Sequence, residues 1–124
     1  MAFTLSANVI GALNAQQQRD SDLRFARDIR AFRPDPVRHV SDPELAEIVR
    51  LSREAARGFG LRDDRLVARF VMVDALIAPG WHRDPQVVAH FRDASGSPEA
   101  KAGDLFQLIR ISLRQYGREA EVWW

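Results

Sequence analysis

The sequence predicts an all-α protein: one domain, residues 1–124, of five to six helices around a central apolar helix at about 64–78. Three observations carry that expectation. Leu66 to Ala78 is apolar on nearly every side, as a helix in the middle of a bundle must be. Elsewhere, apolar residues recur at helical spacing between capping residues and Pro or Gly stops. Alternating apolar and polar runs long enough for a sheet are missing.

Residues 5 to 33 read as helix, with a break allowed near Asp20 or Ser21. Val9, Ile10 and Leu13 form one apolar stripe; Phe25, Ile29 and Phe32 form a second. Pro34 and Pro36 end it. Ser41 opens the next helix as a capping box with Glu44. That helix should bury Leu45, Ile48, Val49, Ser52, Ala55 and Ala56 and exit through Gly58 and Gly60, with Phe59 folded back onto it.

The central helix starts at Asp63-Asp64, where the macrodipole favours acids, and stops at Pro79-Gly80. Asp84 caps a short helix that begins at Pro85 and buries Val87, Val88 and Phe91. Ser97 caps the last helix, whose core face is expected to be Leu105, Leu108, Ile109 and Ser112, widened by Phe106, Leu113 and Tyr116. Gly117 ends it, and a tail at 118–124 follows.

Composition narrows the function classes. Hydrophobic residues at 46% and charged residues at 28% are globular values, and without cysteine there is no disulfide framework and no thiolate chemistry. No apolar run reaches the length of a membrane span, and no basic residue precedes the weak apolar stretch of MAFTLSANVIGALNA. A cytoplasmic protein is expected. Of the 18 cations only Lys101 is lysine, and 17 acids balance them to a net charge of +1. That balance does not favour nucleic acid, although Arg24, Arg27, Arg30 and Arg33, flanked by Arg19 and Arg38, form a basic stripe.

Motifs for chemistry are weak. His82, Asp84, His90 and Asp93 lie close in sequence but lack the i, i+4 spacing of a helical metal site, so no metal or other cofactor is expected. His82-Arg83-Asp84 copies the start of a kinase catalytic loop, yet Ala89 stands where its asparagine belongs. No nucleophile elbow or phosphate loop occurs, so no catalytic residue is assigned. Asp74, inside the apolar helix, calls for a buried partner; a structural ion pair, for example with Arg110 or Arg114, is expected, the alternative being a binding determinant that faces a partner.

Residues 55–85 resemble small helical bacterial proteins encoded beside type VI secretion spike and effector genes. The resemblance is carried by Phe59-Gly60-Leu61, Arg62-Asp63-Asp64, Val67-Ala68-Arg69-Phe70, Pro79-Gly80-Trp81 and Asp84-Pro85. Gln16 to Gln18, Phe25 and Pro34 in front, and Lys101 and Leu105 behind, are compatible with it. Pro79-Gly80 reverses the Gly-Pro order of that pattern.

The resemblance implies a non-enzymatic partner-binding protein, an adaptor or chaperone for an effector or an immunity protein against one. Its partner would be a secreted effector or toxin, or a spike component. Self-association stays open. Candidate contacts are Trp81, His82 and Arg83 at the rim after the central helix, and Trp123 and Trp124 in the tail, where tryptophan suits an interface anchor. Folding of the tail back over the bundle is the favoured expectation, with anchoring in a partner's groove as the other. The alternative function is a nucleic-acid-associated helical regulator using the arginine stripe.

Overall fold

The computed structural model describes residues 6–124. Five α-helices follow in order: α1 Ala7–Phe32, α2 Asp42–Gly58, α3 Asp64–Leu76, α4 Pro85–Arg92 and α5 Pro98–Gln115. Single turns of 3₁₀ helix lie at Asp35–Val37, Trp81–Arg83 and Glu119–Glu121. No strand occurs among the described residues, and none of their helices is long and apolar enough to cross a membrane. The expectations for residues 1–5 lie outside the described part.

Local chemistry sets the helix starts. Ser41, Asp63, Asp84 and Ser97 each accept a backbone N–H of the following first turn, filling part of the unmet donor set there. Only half of the Ser41 capping box forms: the Ser41 hydroxyl accepts the Glu44 N–H at 3.2 Å, with no return bond from the Glu44 carboxylate. Ser6 caps α1 by accepting the Val9 N–H at 3.3 Å, and the helix then runs without a break through Asp20 and Ser21. The polar run QQQRDSD holds the helix because it contains no Pro or Gly, and Gln16 bonds Asp20 and Gln18 bonds Asp22 across single turns.

α2 lies against both α1 and α3, α4 lies against α5, and α3 reaches α5. The central helix is as apolar in place as in sequence: Val67, Phe70, Val71, Val73, Ala75 and Leu76 are all buried. Leu45, Val49, Ser52 and Ala56 of α2 and Ala26 and Ile29 of α1 meet that core. Arg57 bridges the α2–α3 turn, donating to the Leu61 and Arg62 carbonyls and to Asp64 at 2.8 Å. Gly60 makes the turn at φ +94°, where an added Cβ would stand 3.0 Å from Pro98 at the head of α5.

Phe59 caps the C-terminus of α2 and packs against the core. It stacks on Phe91 of α4, ring centroids 4.4 Å apart and 9° from parallel. The pair begins a chain of rings through the molecule: Phe91, Phe70, Trp81, Phe106, Trp124, Trp123 and finally Phe32, each neighbour 4.6 to 6.3 Å from the last. Ring pairs at these distances add to the area they bury. The chain joins α1, α3, α4, α5 and the tail, and starts at the residue that caps α2.

Candidate functional site

The loop after α3 is built inward. Gly80 takes φ +77°, which turns the chain sharply and lets Trp81 drop into the core. The indole N–H of Trp81 donates to the Phe70 carbonyl at 3.2 Å, and its ring sits 4.6 Å from Phe70. Trp81 is 7% exposed and His82 9%, so neither forms the solvent rim expected of them. A buried indole needs an acceptor, and Phe70 supplies one within reach. Arg83 alone of the three is exposed, its guanidinium lying over Gly80.

Asp74 is buried, but Arg110 and Arg114 are not its partners. It sits in the last turn of α3 and faces the loop: one carboxylate oxygen accepts the Gly80 N–H at 2.6 Å, and the other stands 3.5 Å from Nε2 of His82. Arg114 bonds Glu119 instead, at 3.1 Å. The partner supplied by the next loop takes precedence over one supplied by a distant helix.

The tail lies on the bundle. Trp124 donates its indole N–H to the Phe106 carbonyl at 3.3 Å, Trp123 meets Phe32 edge-on at 6.1 Å, and Arg33 donates to the Ala120 carbonyl at 3.4 Å. Trp123 and Trp124 are half-buried in the chain's own core rather than projecting as free anchors. Arg118 bonds Glu121 and holds that carboxyl below its ordinary value.

The basic stripe is occupied from within. Arg30 donates to Asp42 at 2.9 Å and to the Val37 and Val40 carbonyls, clamping the α1–α2 turn. Arg27 stands 3.8 Å from the same aspartate, and Arg33 lies over the Phe32 ring while reaching the tail. Arg24 alone of the four has no such partner among the described residues. α3, the helix that a helix-turn-helix reading would send into a groove, is largely buried.

The four residues at 82–93 hold separate positions. His82 faces Asp74, Asp84 caps α4, Asp93 accepts the Ser95 N–H and hydroxyl at 2.9 Å each, and His90 stands 3.9 Å from Asp104. No cluster of three metal-ligating side chains forms among the described residues. Those two Ser95 bonds, the backbone one first, hold the Asp93 carboxyl below its ordinary 3.8.

The feature that sequence reading missed is a groove between α4 and α5 of about 520 Å³. Ile77, Val87, Leu105, Ile109 and Leu113 line it, with Leu108 and Tyr116 at its edge, Asp84 and Arg118 as its charged groups and His90 as a further polar one. The buried face of α5 is Lys101, Ala102, Leu105, Phe106 and Leu113; Leu108, Ser112 and Tyr116, expected inside, are exposed. Leu108 is 56% exposed. The available signal was width: apolar residues from Leu105 to Tyr116 cover more of α5 than the eight-residue α4 can shield.

The chain matches no protein-family model, no curated protein and no solved structure.

Proposed function

We propose that this chain is a non-enzymatic protein-binding module that receives an apolar helix of its partner in the α4–α5 groove. The observation that carries this reading is the groove itself, an apolar channel with Leu108 and Tyr116 left open beside it. Amphipathic helices bind proteins by laying their apolar face into such channels, anchoring at i, i+3, i+4 and i+7. Its charged groups give the partner's polar face something to meet without burying an unpaired charge.

The biological setting rests on the resemblance of residues 55–85. It makes the partner a secreted effector or a secretion-spike component, and the role that of an adaptor, chaperone or immunity protein. The test is a tagged pull-down from the producing cell, comparing wild type with Leu108→Asp and identifying the captured protein by mass spectrometry. One effector or spike protein held by wild type and lost with Leu108→Asp supports the reading. Undiminished capture by the variant rules out the groove, and co-purifying nucleic acid in place of protein overturns the function.

A further inference from the structure

The first half of α1 is unusual among the elements. From Ser6 to Ser21 every residue is exposed, although α1 is continuous to Phe32, and its first buried residue is Asp22. This arm of about 22 Å projects from the bundle. It carries no charge between Ser6 and Gln18, the first being Arg19. Val9, Ile10 and Leu13 stand 44%, 45% and 53% exposed along it. Asn8, Val9, Gly11 and Asn14 have low helix propensity, so its amino-acid content does little to keep an uncovered helix intact. A cover is needed, and the described body does not supply it.

We infer that two copies of this chain exchange arms, the α1 arm of each lying in the α4–α5 groove of the other. The inference rests on the proposed role of the groove and adds its regulation: a partner helix must displace the arm. Two features match. Ala7 to Gln18 and Leu105 to Tyr116 each advance eleven residues along a helix, about 17 Å. An uncharged arm leaves no buried charge of its own in an apolar channel.

Size favours reciprocity. A helix that long and about 10 Å wide buries roughly 350–400 Å² of its surface in a groove, and a similar area of the groove. One such contact, about 750 Å² in total, is below what specific interfaces use, whereas two reach about 1,500 Å². Contact between the arms alone would cover three apolar side chains per copy and leave both grooves open.

Light scattering coupled to size exclusion tests this on the full chain. Wild type is expected at twice 14.1 kDa, with Ile10→Asp and Leu108→Asp each at 14.1 kDa. Both positions are exposed, and circular dichroism checks that each variant keeps its helices. Mixing the two variants rebuilds only one of the two contacts, the intact arm of one in the intact groove of the other, so it is expected to give at most a weaker, concentration-dependent dimer than wild type. A wild-type monomer overturns the inference, as does a dimer that survives Leu108→Asp. A monomeric wild type whose partner capture is still lost with Leu108→Asp discards arm exchange while the groove reading stands. Capture that is insensitive to Leu108→Asp discards the groove reading.

Discussion

Asp74 and Gly80 are joined by a 2.6 Å hydrogen bond in which the carboxylate at the end of α3 accepts the amide N–H of the loop that follows. The bond fixes the glycine in the one conformation that sends Trp81 inward, and the ring chain depends on that direction. Replacing Asp74 by Ala leaves the Gly80 N–H without this acceptor, at a cost of about 2 kcal/mol. Asp74→Asn keeps an acceptor and should lose less than half as much. Urea unfolding of the three proteins measures this, and equal losses for Ala and Asn would refute the role given to the bond.

Asp22 and Arg53 join α1 to α2 where the arm ends. Asp22 is buried, pairs with Arg53 and accepts from Gln18 at 3.1 Å. Breaking such a pair from one side leaves a charge partly desolvated, and because Arg53 is partly exposed we expect about 2–3 kcal/mol for Asp22→Ala. Adding Arg53→Met should recover part of the loss, which a double-mutant cycle quantifies. A single substitution within 0.5 kcal/mol of wild type, on the order of an ordinary surface change, contradicts the assignment.

These two contacts mark the boundary of what sequence could give. Helix starts at Ser41, Asp63, Asp84 and Ser97 were legible because a cap is a bond between residues two or three apart. The apolar girth of α3 was legible because it needs no partner's identity. Asp22–Arg53 spans 31 residues and had no local sign. The inward turn of Trp81 and His82 was hidden because a loop's exposure depends on what lies beneath it. The open face of α5 was hidden because an apolar stripe looks the same whether a neighbour covers it or not.

Trp124 closes the ring chain against Phe106. Trp124→Ala removes a half-buried indole and its bond to the Phe106 carbonyl, and should cost about 2 kcal/mol. Thermal unfolding followed by circular dichroism reads the loss. A melting curve unchanged by the substitution would return the tail to the role of a free anchor for another protein.

Acid should weaken the fold through groups such as Asp93. Its folded carboxyl titrates below the ordinary 3.8, so its stabilising contribution is complete well above that value and fades as pH falls through 3.8 toward the lower folded midpoint. Side-chain NMR of the folded protein should place the Asp93 midpoint below 3.8. Ser95→Ala keeps the backbone donor and should move the midpoint only part of the way back. A midpoint at or above the ordinary value contradicts the two-bond arrangement.

Lys101, the single lysine, is buried and donates to the Phe91 and Asp93 carbonyls at the end of α4. The described surface is therefore almost blank to reagents and enzymes that seek an ε-amine. Acylating probes, amine crosslinkers and lysine-modifying enzymes find, among the side chains, arginines, which do not react, and one ε-amine held under the C-terminus of a helix. Label arriving at Lys101 would accordingly time the parting of α4 from α5, a clock for opening that the fold carries without any engineered tag.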